Sequence, residues 1–201
     1  MSEMSWPAKF FCTSRVYRAF ARRILVPWGL QGVRLRGDAL EIGSGSGAMA
    51  AEFLSLFPEL RVIATDYDSE MVEIARRTLA PFGSRASVQR ADASNLPFGD
   101  SQFDFVLSFA MLHHVGDWKK TIGQAVRVLR PGGRLIGYDL LDAMPFRLHG
   151  GVSHGATMLR PDQLDEVLRN LPVASFQSRR GVAGVVLRFI VTKNAGALAA
   201  S

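Results

Sequence analysis

From Gly37 onward the chain alternates between two hydrophobic periods. Short apolar runs that read as strands are separated by longer stretches in which apolar residues recur every three or four positions, the spacing of one helix face. The pattern predicts strands over residues 39–42, 61–66, 86–91, 103–109 and 134–140. Between them it predicts a helix over 46–57, stopped before Pro58, and a second from about 68, capped by Asp68 or Ser69, with Glu70 in its first turn and Met71, Val72, Ile74 and Ala75 turned inward. A third covers 117–129 and ends at Pro131-Gly132-Gly133, which turns the chain into the next strand. Residues 142–159 carry no clear periodicity, and loops of that length are usually functional. A helix over 161–170 and two strands over 173–179 and 185–193 follow. The turn at 181–184 is short enough to require that this last pair be antiparallel. Alternating strands and helices of this kind predict an α/β, doubly wound, mostly parallel seven-stranded sheet that closes in a C-terminal antiparallel hairpin. The tail over 195–201 is expected to fray.

The first thirty-seven residues read differently. Plotted at 100° per residue, positions 9–26 place Phe10, Tyr17, Phe20, Ala21, Ile24 and Leu25 on one side and Arg15, Arg18, Arg22 and Arg23 on the other, while Phe11 and Val16 fall off the apolar face. This predicts an amphipathic basic helix ended by Pro27. The expected division is a basic N-terminal helical arm over 1–37 and a single domain over 38–201.

Charge sharpens that division. Of a net charge of +6, residues 1–37 hold seven basic side chains against one acid, Glu3, which leaves seventeen of each sign in the remainder. Two roles fit such an arm: a lid packed over a ligand crevice, or contact with an anionic membrane surface. Nucleic acid is disfavoured, because the basic patch lacks interleaved exposed aromatics and the rest is neutral. With 201 residues, 48% of them hydrophobic, the chain can fill one good-sized core. One cysteine, Cys12, excludes a disulfide framework and a cysteine-clustered metal site. With no signal-like or membrane-spanning run either, the expectation is a soluble, cytoplasmic protein, peripheral to a membrane if the arm binds one.

Chemistry enters at Leu40-Glu41-Ile42-Gly43-Ser44-Gly45-Ser46-Gly47, a strand ending in an acid and a turn with glycine at every second position. Glycines there permit a nucleotide-like ligand to approach the main chain. Gly43, Gly45 and Ala48 also satisfy the dinucleotide fingerprint, so this stretch alone leaves two cofactor classes open.

Four further stretches resolve the choice: Thr65-Asp66-Tyr67-Asp68; Arg90-Ala91-Asp92-Ala93 with Leu96-Pro97-Phe98; Phe103 to Ser108 followed by Leu112-His113-His114-Val115; and Val128-Leu129-Arg130-Pro131-Gly132-Gly133. In this order they resemble the class I S-adenosylmethionine-dependent methyltransferases, in particular the small-molecule branch built from a bare methyltransferase domain. A nicotinamide enzyme accounts only for the glycine turn and the Asp66 stretch. The resemblance covers 39–140 and implies a Rossmann-like fold, S-adenosylmethionine as cofactor and, with the arm, a helical lid. It places Glu41, Gly43, Ser44, Gly45, Gly47 and Ser108 around the cofactor, with Asp66 on the ribose hydroxyls and Asp92 and Ala93 on the adenine. Tyr67 and Met71 either pack against the adenine face or serve the core. Glu41 either touches the ligand or organises the glycine loop through its N–H groups.

The implied reaction is methyl transfer to a small, apolar or amphiphilic acceptor, including a lipid or quinone-like one. A non-catalytic S-adenosylmethionine-binding partner protein is the rival class. An acceptor that must lose a proton needs a base, and neutral histidine suits that task near pH 7. His113 and His114 leave the fourth strand at the crevice mouth and are the foremost candidates; His149 and His154 lie in the long loop. Asp139, at the end of the fifth strand, is a further polar contact, while Asp104 reads as structural. The histidines show neither i, i+4 spacing nor a carboxylate partner, so they give no argument for a metal. Within the resembling group, no Asn-Pro-Pro-aromatic run, Pro-Cys nucleophile, thiol cluster or group of carboxylates after the fourth strand is present.

Overall fold

Seven strands form one sheet in the order β3-β2-β1-β4-β5-β7-β6. The computed structural model describes residues 23, 24, 26–141, 159–181 and 184–196. In chain order the elements are α1 (Val26–Leu30), β1 (Gly37–Ile42), α2 (Ala48–Leu56), β2 (Leu60–Asp66), α3 (Ser69–Leu79), β3 (Ala86–Arg90), β4 (Phe103–Phe109), α4 (Trp118–Val128), β5 (Leu129–Leu140), α5 (Pro161–Arg169), β6 (Val173–Gly181) and β7 (Val186–Lys193). A 3-10 turn over Ala80–Arg85 joins α3 to β3, and another over Leu112–His114 follows β4. Strands β3, β2, β1, β4 and β5 pair in parallel, and β7 pairs antiparallel with both β5 and β6. This is the expected α/β Rossmann-like sheet with its C-terminal hairpin.

Apolar side chains leave both faces of the sheet, so helices cover both. On one side Trp118, Ile122, Ala125 and Val126 of α4 and Leu164 and Leu168 of α5 pack with Leu40, Val106, Leu135 and Phe189. On the other, Val26 and Leu30 of α1 and Met49, Ala50, Phe53 and Leu54 of α2 pack with Ala39, Val62, Leu107 and Ile136. Phe53 and Phe189 have no exposed surface; truncating either to alanine should cost about 3–5 kcal/mol.

Several boundaries differ from expectation for identifiable reasons. Asp68 caps α3, its Oδ1 accepting from the Glu70 N–H at 2.9 Å. In that helix Met71, Val72 and Ala75 are buried, while Ile74 is only half-buried. Pro131-Gly132-Gly133 does not stop α4. That helix ends at Val128, and β5 has already begun at Leu129, with a register shift against β4 between Phe103 and Phe105. Gly132 at φ 76° permits the distortion, and the Lys193 ammonium donates to the Arg127 and Leu129 carbonyls where the helix runs out. Pro27 lies inside the first turn of α1, where a missing N–H is harmless. The chain expected to form an arm up to residue 37 contributes Val26, Leu30 and Leu35 to the core. Most of the helix expected over 9–26, the loop with His149 and His154, and the end of the tail lie outside the described residues.

Candidate active site

The tips of β1, β2 and β4 meet where the sheet order reverses, the place at which open α/β sheets bind ligands. The first tip is tied to the second through two hydrogen bonds: the Ser44 N–H donates to the Thr65 carbonyl at 2.9 Å, and Thr65 Oγ1 donates to the Glu41 carbonyl at 2.9 Å. Asp66 then holds the loop itself. Its Oδ2 accepts from the Gly45 N–H at 2.8 Å and its Oδ1 from the Asp68 N–H at 2.9 Å. Burial raises the Asp66 pKa, against the lowering effect of these N–H groups.

The glycines of this loop serve different ends. Gly43, at φ 67°, faces the Met111 side chain so closely that a Cβ would overlap Met111 Cγ. At Gly45, with φ 53°, an added Cβ would meet nothing within 4 Å, although the residue itself is buried; the positive φ is what favours glycine there. Gly47 caps α2 beside Ala75 of α3.

Glu41 is 2% exposed, and its Oε2 has no hydrogen-bond partner. Burial, reinforced by the nearby Asp66 charge, raises its pKa to about 8, and the Ala50 N–H offsets this only in part. Ser44 Oγ and Ser108 Oγ are likewise buried without a partner. Buried polar atoms are normally satisfied, so three orphan oxygens among the residues assigned to the cofactor are the mark expected of a site that completes itself with a ligand. The hydroxyls and amino groups of an adenosyl amino acid supply suitable partners. The donor set therefore fits S-adenosylmethionine.

Around this centre Asp92 Oδ1 accepts from both the N–H and the hydroxyl of Ser94 at 2.8 Å, while Ala93 is buried beside it. Arg90 lies 5.3 Å over the Tyr67 ring and donates from Nε to the Tyr67 carbonyl. Met71 has no exposed surface and belongs to the buried apolar side chains. Asp104 accepts from the Asp38 N–H and pairs with Arg130, a structural tie at the far end of the sheet.

The histidines do have a carboxylate partner, contrary to the sequence expectation. Nδ1 of His113 lies 2.6 Å from Asp139 Oδ1. Asp139 has no exposed surface and also accepts from the Met111, Leu112 and Leu140 N–H groups. Because that carboxylate accepts from three backbone N–H groups, Nδ1 of His113 is the donor in this contact. The His114 ring packs against that of His113 at a tilt of 43°, with centroids 4.0 Å apart. Burial, with His113 alongside, lowers its pKa to about 4, so it is neutral near pH 7. No signal local to either histidine reveals Asp139, which sits on the neighbouring strand 26 positions away. Met111, whose backbone meets Asp139 and whose side chain covers Gly43, went unmarked for the same reason.

Among the described residues no three His, Cys, Asp or Glu side chains cluster as a metal site, and no helix is long and apolar enough to cross a membrane. A groove of about 920 Å³, lined by Arg34, Arg36, Leu56, Phe57 and Arg134, opens at the opposite end of the strands, away from the orphan oxygens and the histidines.

Comparison with known proteins agrees with this geometry. Residues 40–137 match the model of the methyltransferase domain family. A demethylmenaquinone methyltransferase of Clavibacter sepedonicus is 32% identical over 212 residues, covering 92% of this chain and 83% of that protein. A ubiquinone/menaquinone biosynthesis C-methyltransferase of Pseudomonas fluorescens (strain SBW25) is 36% identical over 110 residues, covering 53% of this chain but only 43% of its own length. In fold, a chain from the complex between the Haloferax volcanii Trm112 methyltransferase activator and a methyltransferase superposes with a TM-score of 0.76 at 18% identity, over 96% of this chain and 100% of that one. With about a third of its residues shared with the Clavibacter enzyme along nearly its whole length, this chain belongs to the class I S-adenosylmethionine-dependent methyltransferases.

Proposed function

We propose that this small-molecule methyltransferase methylates a ring carbon of a phenolic or quinol-type acceptor, with His113 as the base and Asp139 as the residue that positions it. The observation that carries the reading is the 2.6 Å contact between His113 Nδ1 and a fully buried Asp139. Bound S-adenosylmethionine supplies a methyl group that is already activated. The protein's own task is then to hold the acceptor and to handle its proton.

A neutral phenol ring is a weak carbon nucleophile, whereas a phenolate carries charge at the carbons ortho and para to its oxygen. Proton removal by His113 Nε2 therefore converts a poor acceptor into a good one; the methylated carbon then loses its own hydrogen to solvent as a proton, which restores the aromatic ring, and His113 returns its proton to the ring oxygen. In between, the imidazolium is stabilised through Nδ1 by Asp139, as in other base–carboxylate pairs. His114, neutral and half-buried, extends the apolar, stacking surface beside the base. Glu41, Gly43, Ser44, Gly45, Gly47, Asp66, Asp92, Ala93 and Ser108 surround the cofactor. The two curated relatives, named for quinone methylation, support an acceptor of this class.

The test is incubation of the full chain with methyl-labelled cofactor and a short-chain naphthoquinol, followed by mass spectrometry and NMR of the product. A new carbon-bound methyl is expected. Label on oxygen or nitrogen, or no turnover by a protein that binds the cofactor, would sink the proposal.

A further inference from the structure

We infer that the crevice end of the molecule docks on an anionic phospholipid bilayer through Arg23, Arg179 and Arg180, with Ile24 as the apolar contact. β6 is an edge strand, and its last residues pair with β7 as Arg179 with Arg188 and Arg180 with Leu187. Leu187 pairs in turn with Asp139 of β5. Arg180 thus stands in the same row as the carboxylate that holds His113, two strand spacings or roughly 10 Å away.

Arg179 and Arg188 are like charges placed directly opposite each other across an antiparallel pair, an arrangement that destabilises a sheet. Arg188 is engaged from within: it donates to the Trp28 carbonyl at 3.0 Å, its guanidinium lies 5.2 Å over the Trp28 ring, and its Nε is buried without a partner. Arg179 and Arg180 are exposed, and among the described residues neither forms an ion pair, nor does Arg23. An anionic surface removes the repulsion of such a group; water only screens it.

Ile24 is 52% exposed beside Arg23, two positions before the start of α1 in sequence. That helix meets the end of β6, since a Cβ at Gly181 would lie 2.7 Å from Trp28 Cζ2. In sequence, Arg15, Arg18 and Arg22 come just before. An exposed apolar side chain next to Arg23, with Arg179 and Arg180 at the same end of the sheet as the His113–Asp139 pair, matches a lipid interface better than a nucleic acid. The inference extends the apolar-acceptor reading, since a bilayer would deliver such an acceptor to the crevice.

The experiment is sedimentation of the full chain with vesicles of phosphatidylcholine and phosphatidylglycerol, against phosphatidylcholine alone. Retention on the mixed vesicles that falls as salt is raised is expected. Arg179→Glu with Arg180→Glu should lower that partition at least about tenfold. Ile24→Asp, which leaves every arginine in place, should lower it as well. Arg34→Glu with Arg36→Glu, at the opposite end of the strands, should leave it unchanged. Equal retention on neutral vesicles, equal loss in the Arg34/Arg36 variant, or a tighter hold on a short RNA than on vesicles would overturn the assignment. Transfer to the water-soluble naphthoquinol should survive in all these variants. Its absence in the parent protein would defeat the acceptor reading without touching the vesicle result.

Discussion

His113 and Asp139 stand 26 positions apart in the chain, yet their Nδ1 and Oδ1 atoms lie 2.6 Å apart because β4 and β5 are parallel neighbours that end together. The carboxylate also receives the N–H groups of Met111, Leu112 and Leu140, so the turn that carries the base is built on the residue that orients it. Asp139→Asn keeps the shape and one acceptor oxygen but offers His113 an N–H, which forces the wrong tautomer. We expect kcat to fall about 10²- to 10⁴-fold while calorimetric affinity for the cofactor stays unchanged. A variant with parental kcat would reduce Asp139 to a purely structural residue.

His114 presents a separate case. It lacks the carboxylate contact, and burial keeps it neutral. His114→Ala should leave cofactor affinity alone and slow transfer through loss of acceptor stacking, seen as a raised KM. His113→Ala should act on kcat. Steady-state kinetics of the two variants side by side tests this division, and it fails if both lower kcat equally.

Gly43 and Met111 form the contact that joins the cofactor loop to the turn bearing the histidines. Gly43→Ala puts a Cβ into Met111 at a backbone φ of 67° and should destabilise the fold by at least about 2 kcal/mol. Met111→Ala frees the space and should recover part of that loss. A coupling of about 0.5–3 kcal/mol in the denaturation cycle is expected. Strict additivity would show that the clash relaxes elsewhere.

Asp66 presents both carboxylate oxygens to backbone N–H groups that shape the loop. If it also accepts from ribose hydroxyls, Asp66→Ala should weaken cofactor binding by about 1.5–3 kcal/mol. Titration calorimetry measures this directly, and parental affinity would remove the assignment.

Local features of the chain carried most of the fold. Alternating periods placed the strands, Asp68 announced the cap of α3, and the spacing of Gly43, Gly45 and Gly47 marked the crevice, because each depends on neighbours within a few residues. The start of β5 was hidden because Pro131-Gly132-Gly133 reads equally as a helix stop and as a strand distortion; only pairing with β4 separates the two. The His113–Asp139 contact and the covering of Gly43 by Met111 were hidden for a deeper reason. Both are made between elements, and which strand tips meet is a property of sheet order and not of any short stretch.

Glu41 makes the last case, because burial leaves a signature in pH. Its pKa of about 8 in the folded protein stands against an ordinary value of 4.5, so between these limits the folded state holds a proton that the unfolded state has lost. Stability from this group is therefore full below about pH 4.5 and declines as pH rises toward 8, with a slope of up to about 1.4 kcal/mol per pH unit. Glu41→Gln imitates the protonated side chain and removes the decline. The difference in unfolding free energy between this variant and the parent should shift steadily in the variant's favour from pH 5 to pH 8, a comparison in which titrating groups other than the neighbouring Asp66 cancel. Denaturant titrations at three pH values in that window provide the measurement. A difference that does not change with pH would mean that Glu41 is already ionised at the base of the glycine loop.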